Sequence, residues 1–321
     1  MPEQSPDGGH DLVTALVHDE ATNLTPPDAA TLTIAAVESG PRRPKRKGIG
    51  VGGWLSVAWL ALLLVIAVAG VVTGQKIPFL PDPKNDVGGF KLDMFSPGHF
   101  LGTDASGQDI LSLTVNGTSA SMEIGVFSVL IGFTIGGLFG VLSGYFKGRV
   151  GAVLGSTTDI LLAFPPLVLA ISIVTFLGHS VFWVTIALAI VAVPVLARIA
   201  RAATLSWAER EFVTAARAQG AKHSRVMIKE LVPNVLPAML SIALLSIAVV
   251  IVAEAGLAIV GAGVAKTTIT WGGIIDSGRT EIDTAPHIVL IPSFIIFLTV
   301  MALNYLGDAL RAKFDVREGA L

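Results

Sequence analysis

Six mostly apolar stretches alternate with short polar ones along this chain, at roughly 53–73, 120–144, 156–177, 181–203, 232–260 and 286–309. A helix needs about 20 apolar residues to cross a bilayer. The pattern therefore predicts an all-α integral membrane protein with six transmembrane helices. Only Gly178, His179 and Ser180 separate the third and fourth stretches, which predicts a tight helical hairpin. Pro165, Pro166 and Pro194 fall inside those two spans, where a missing N–H and a bulky ring predict local kinks. The last two spans exceed the minimum length, which permits tilt without specifying it.

The spans carry their own finer pattern. Ser128, Gly132, Gly136, Gly140 and Gly144 recur every four positions, so one face of the second helix is nearly bare. Lipid gives no hydrophobic drive between helices, and such a stripe serves close backbone packing. It could receive a helix of this chain or of a partner subunit. Charges within spans are few; among them Asp159 opens the third, Asp308 with Asn304 closes the sixth, and Glu254 lies towards the outer end of the fifth. Intramembrane carboxylates are functional candidates. Solvation or a nearby Arg accounts for Asp159 and Asp308 near the inner boundary. Glu254 has two readings, a gate or lining residue of a pathway, or a helix-to-helix hydrogen bond.

Between spans four and five lies a polar island, EREFVTAARAQGAKHSRVMIKELVP, at 209–233. Glu209 to Gln219 has no Gly or Pro and predicts a short helix. Phe212, Ala215, Ala216 and Gln219 share one face of it, and Arg210, Thr214, Arg217 and Ala221 another. Glu209 and Glu211 suit the positive N-terminal end of the helix, and Gly220 stands where a left-handed residue commonly ends one. A second short helix over about 222–230 follows and runs to Pro233. Ala215, Ala216 and Gly220 offer a surface almost without side chains, which fits docking into a groove of a soluble partner. The competing reading is a helix lying on lipid headgroups, but its apolar face is narrow, with Phe212 and Val213 as its large residues.

Charge adds orientation. PRRPKRK at 41–47 brings five basic residues directly before the first span. Lys and Arg concentrate in cytoplasmic loops. Placing that end inside also puts Lys147 and Arg149, the island, and Arg311, Lys313 and Arg317 inside. The segments 75–118, 178–180 and 262–285 are then external, and both termini are expected in the cytoplasm. Residues 1–40 are acidic (Asp7, Asp11, Asp19, Glu20, Asp28 and Glu38 among them), hold no Lys or Arg, and lack a signal-peptide pattern; they are expected to be disordered. The organisation expected is a tail and polybasic segment at 1–47, a first helix with an external segment at 48–117, a five-helix core at 118–310, and a cytoplasmic tail at 311–321. Net charge is −2 with 14% charged residues, so nothing argues for nucleic acid. Cysteine is absent, which excludes disulfides, thiolate metal sites and a cysteine nucleophile.

A loop motif and six further collinear stretches then carry a family resemblance over about 98–315. TAARAQG, twelve residues, then PNVLP resembles the EAA loop of ABC-importer permeases. GTDASGQDILS (102–112), GYFKGRVG (144–151), TDILLAFPPLVLAI (158–171), IVAEAGLAIVG (251–261), WGGIIDSGR (271–279) and NYLGDALRAKFD (304–315) are similar, in order and spacing, to the dipeptide/oligopeptide/nickel permeases. The resemblance implies a type I importer permease that, with a second permease, forms a pathway for di- or oligopeptides. An external binding protein delivers the solute, and two cytoplasmic ATPase subunits, or one fused, bind ATP and Mg. It implies that the island is the coupling helix, with Glu209, Glu211, Phe212, Thr214, Ala215, Ala216 and Gly220 at the ATPase. Three positions depart from the family pattern: Thr214 replaces the loop's Glu, Gln108 an Arg, and Val316 a Pro. Glu209 or Glu211 would replace the lost acid.

The chain agrees that ATP is held elsewhere. A P-loop requires G-x-x-x-x-G-K-[ST], and VGAGVAKTT (260–268) has Val260 and Ala265 where the glycines belong. No catalytic, cofactor or metal site is expected in this chain; His99, His179 and His287 are scattered without metal spacing. Alternatives are the same role for nickel or other small peptide-like solutes, an ion-coupled secondary transporter, for which no repeated half is visible, and an intramembrane enzyme.

Overall fold

Gly50 opens and Gly74 closes the first apolar run as a helix, and each later run also becomes helical, though several boundaries move. The computed structural model describes residues 50–76, 80–82 and 88–318, and those residues contain helices and no strand. The acidic stretch and PRRPKRK lie outside the described residues. In chain order the helices are α1 (Val51–Thr73), α2 (Ile110–Tyr145), α3 (Arg149–Ala163), α4 (Pro166–Leu177), α5 (Val181–Ala208), α6 (Glu211–Ala218), α7 (His223–Ile259), α8 (Trp271–Gly278) and α9 (His287–Glu318). Five of them (α1, α2, α5, α7 and α9) are long and apolar enough to cross a membrane, and α3 with α4 makes a sixth if the bent pair is one span. The helices run unbroken through the points 117/118 and 310/311.

α2 starts at Ile110, well before the apolar stretch at 120. Asp109 caps it, its Oδ1 accepting the Ser112 N–H at 2.8 Å. Ser112, Thr114, Asn116, Thr118, Ser119 and Ser121 in its first turns are all buried. The segments around Gln75 and α8 cover them. The fully buried Trp271 of α8 donates its indole N–H to the Thr114 carbonyl at 3.0 Å and its backbone N–H to Ser121 Oγ at 2.9 Å. Gln75 donates to the Ile269 carbonyl at 2.8 Å and accepts from the Ile269 N–H at 3.1 Å. The three histidines bind within the same region: His99 to Asp109 at 3.0 Å, His179 to the Gly263 carbonyl at 2.9 Å, and His287 to the Thr103 carbonyl at 3.3 Å.

The third span is not one helix. α3 and α4 meet at 87°. Phe164 precedes a proline and takes an extended conformation with ψ 136°, and Pro165 is extended in turn with ψ 122°. Pro166 then opens α4, where its missing N–H costs nothing. Pro194, by contrast, stays inside a continuous α5. The second half of the island merges with the fifth span: one turn (His223–Arg225) and a π-helical turn (Val226–Leu231) run straight into Val232–Ile259. The wider turn precedes Pro233, whose ring would crowd the carbonyl of Lys229 in a regular α-helix.

The most extensive helix pairing joins α2 to α5. The glycine stripe lies against this chain's own α5. A β-carbon on Gly132 would sit 2.9 Å from that of Ala192. On Gly136 it would lie 2.5 Å from the Val193 carbonyl oxygen, on Gly140 2.5 Å from that of Ala197, and on Gly144 2.8 Å from the Thr204 β-carbon. Ser128 extends the seam by donating to the Thr185 carbonyl at 2.9 Å. Around it pack Ile124, Val129, Val184, Leu188, Leu196 and Leu257, all buried.

Candidate functional site

The polar island folds as α6 and the turn after it, fastened to the adjoining ends of α2 and α5. Its chain order makes this possible, since α5 ends at Ala208 and α6 begins three residues later. Glu211 stands in the first turn of α6 and Arg217 in the last, both favourable for the helix dipole. The helix closes at Gly220, whose φ is +76°, with the Ala221 N–H donating to the Ala216 carbonyl at 3.0 Å.

One side chain anchors it. Val213 is fully buried in a cluster with Tyr145, Ala208, Val226 and Leu231. Burying a valine is worth about 1.5–3 kcal/mol. Aromatic contacts fix the orientation. The Arg217 guanidinium lies 4.8 Å from the centre of the Tyr145 ring, and the Tyr145 hydroxyl bonds His223 Nδ1 at 2.8 Å. Arg210 lies over Trp207 at 5.3 Å, and Trp207 meets Phe212 at 6.1 Å. An exposed ion pair, Lys147 to Glu209 at 3.3 Å, links the α2–α3 turn to the start of α6.

The outward surface holds Glu209, Glu211, Phe212, Thr214, Ala215 and Gly220, all exposed. Ala216 is half-buried and packs towards the Val213 cluster, so the bare surface centres on Ala215 and Gly220. Sequence reasoning missed Val213 as the anchor and Tyr145 as its floor. The signal was available in part: Val213, Ala216 and Arg217 stand at i, i+3 and i+4, facing the side opposite Thr214 and Ala215.

Glu254 sits apart from α6. It is 1% exposed, and its carboxylate faces the head of α8, where Thr270 and Gly272 are the polar neighbours. A β-carbon on Gly272 would lie 3.1 Å from Glu254 Oε2. Neither oxygen has a hydrogen bond of ordinary geometry among the described residues. Asp159 of α3 pairs with Arg198 of α5 at 3.0 Å, while Asn304 and Asp308 on α9 are exposed. Among the described residues no group of three His, Cys, Asp or Glu could hold a metal.

Residues 136–318 match the family described as binding-protein-dependent transport system inner membrane components. The chain is 35% identical to the glutathione transport system permease protein GsiD of Pectobacterium atrosepticum, over 80% of this chain and 85% of that one. It is 31% identical to the dipeptide transport system permease protein DppC of Alkalihalophilus pseudofirmus, over 91% and 94%. It is 34% identical to the oligopeptide transport system permease protein OppC of Haemophilus influenzae, over 68% and 71%. Among solved structures, an inward-facing form of the MetNI methionine ABC transporter matches with a TM-score of 0.55 and 22% identity, over 63% of this chain and 97% of that one, a likeness of fold.

Proposed function

The chain belongs to the binding-protein-dependent transport inner-membrane component family and is a permease subunit of an ABC importer, and from that premise we propose that it passes di- and oligopeptides across the cell membrane. The relatives named for dipeptide, oligopeptide and glutathione transport support the peptide class. A second permease completes the pathway, and an external binding protein delivers the solute. Two cytoplasmic ATPase subunits hold ATP and Mg; this chain contributes the docking element and no hydrolytic group. Both termini are cytoplasmic. Nickel complexes and other small peptide-like solutes are the second reading, carried by the resemblance alone.

The observation that carries the coupling role is the mounting of α6: a short helix presenting Thr214, Ala215 and Gly220 outward while Val213 and Arg217 pin it to the ends of two long helices. A docked ATPase that moves α6 therefore moves α2 and α5. Such movement does work only if the ATPase docks differently in its two states. Thr214 leaves the expected acid missing. Glu211 is the better replacement, because Glu209 is engaged by Lys147.

Gly220→Trp tests the docking. The left-handed φ at this site disfavours any side chain by about 1–2 kcal/mol, and the indole projects where the ATPase seats. The expected result is loss of ATP-driven uptake and weaker copurification of the ATPases, with Glu211→Lys weakening copurification more than Glu209→Lys. Uptake and copurification that both survive Gly220→Trp would show that α6 is not the docking element.

A further inference from the structure

The Asp159–Arg198 pair is out of place for a lipid-facing surface. α5 is 28 residues long, roughly 42 Å at 1.5 Å per residue, against a hydrocarbon thickness of about 30 Å. Arg198 lies ten residues before its end at Ala208. With the helix centred in the bilayer, that places the Arg198 α-carbon about 9 Å inside the nearer boundary. Yet the side chains of Arg198 and Asp159 are 66% and 64% exposed. Charged groups at that depth face water or protein, since hydrocarbon would penalise each by several kcal/mol.

The pair is also chemically unfinished. Arg198 donates one N–H to Asp159 Oδ1 at 3.0 Å. A guanidinium has five N–H donors and a carboxylate two acceptor oxygens, and no further partner for either group is found among the described residues. One turn further along α5, Arg201 lays its guanidinium over Gly155 of α3; a β-carbon there would sit 2.6 Å from Nη1. The absence of a side chain at Gly155 makes room for a second cation beside the first. Ser156 and Asp159 share the exposed face of α3, while Gly151, Gly155 and Thr158 turn inward. The result is an exposed Arg198–Asp159 pair with the half-buried Arg201 guanidinium beside it, charge of both signs and valences unused, on a face that also exposes Val153 and Ile160.

We propose that Asp159, Arg198 and Arg201 line the aqueous pathway and receive a zwitterionic solute in one polarity, its free carboxylate at the guanidinium groups and its ammonium at Asp159. This rests on the reading of the chain as a peptide permease. Uncharged or singly charged solutes satisfy only part of the set. The site gives the permease a chemical preference of its own, separate from that of the binding protein.

The test uses the complete transporter, with its binding protein, reconstituted in proteoliposomes, and a radiolabelled unblocked dipeptide. Asp159→Asn and Arg198→Gln are each expected to lower uptake at least tenfold while the complex keeps its subunit ratio and ATPase activity. The double exchange Asp159→Arg with Arg198→Asp rebuilds an ion pair with inverted polarity and is expected to leave uptake low. Recovery to within about twofold of wild type would reduce the pair to a structural bridge and overturn the proposal. The chain has no cysteine, so Ser156→Cys can be probed with a membrane-impermeant, charged thiol reagent in a complex whose other subunits are also cysteine-free. It is expected to react at least tenfold faster than Val65→Cys on the exposed face of α1. Equal, slow reaction would place the α3 face against lipid or protein and overturn the proposal even if the charge variants fail to assemble. A wild-type complex that takes up no peptide overturns the peptide reading itself, an outcome distinct from either of these.

Discussion

Lys91, in the segment between α1 and α2, reaches Glu281 beyond α8 with an Nζ–Oε2 distance of 2.5 Å. That hydrogen bond holds the Glu281 carboxyl below its usual value of 4.5, against a smaller opposing effect of desolvation. A carboxyl depressed in the folded state stabilises the protein above its unfolded value, and that contribution disappears as pH falls through the folded value. Asp104 works in the opposite sense. Burial raises its carboxyl in spite of N–H bonds from Gln108, Ser106 and Gly107, so protonation there favours the folded state. Lys91→Met should therefore lower the thermal midpoint of the complex above about pH 4.5, and the gap from wild type should close on acidification below that. A gap that is the same at pH 4 and pH 7, measured by thermal unfolding in detergent, would mean that the pair is not its source. Neither partner was legible as a pair in the sequence, because 190 positions separate them. Val213 was hidden for another reason: a single valine on an eight-residue helix leaves too short a pattern for the buried face to declare itself.

At the scale of the element, the period-four glycines of α2 announced a packing face, and nothing in their spacing distinguished α5 from a helix of another subunit. The contacts do. Gly140→Ala puts a methyl 2.5 Å from the Ala197 carbonyl oxygen and 2.8 Å from the Arg201 nitrogen, both backbone atoms that cannot swing away. Overpacking of this kind costs about 1–3 kcal/mol. Gly256→Ala in α7 is the contrast, since nothing lies within 4 Å of its added methyl, and exchanging a helical Gly for Ala gains up to about 1 kcal/mol. Thermal unfolding of the purified complex should move in opposite directions for the two variants; a shared direction would show that close packing does not decide the outcome. The early start of α2 was illegible because its first turns are polar. Those residues are buried because Trp271 and Gln75, distant in sequence, bring the segments after α1 and before α8 over them.

For the whole molecule, the hydropathy pattern was sufficient to read an all-α membrane protein and to place its spans, because every long apolar run in a bilayer must close its hydrogen bonds within itself. The 87° turn between α3 and α4 exceeded what two prolines alone announce; two successive extended residues, Phe164 and Pro165, make the bend. Topology is open to a direct check in this cysteine-free chain. Ser106→Cys should react with an impermeant thiol reagent from outside intact cells, and Gln219→Cys only after permeabilisation; the reverse would invert the orientation. The seam between α2 and α5 has a mechanical consequence. From Ser128 to Gly144 it runs for 16 residues, roughly 24 Å along the helix, with the glycines set directly against the backbone and the small side chains of α5, such as Ala192 and Thr204. A spring needs slack, and this joint has almost none. Close packing of this kind resists compression, so the pair is expected to move as one strut between Tyr145 and Thr185, and Gly140→Ala, by forcing a gap into the joint, is expected to trade that stiffness for play.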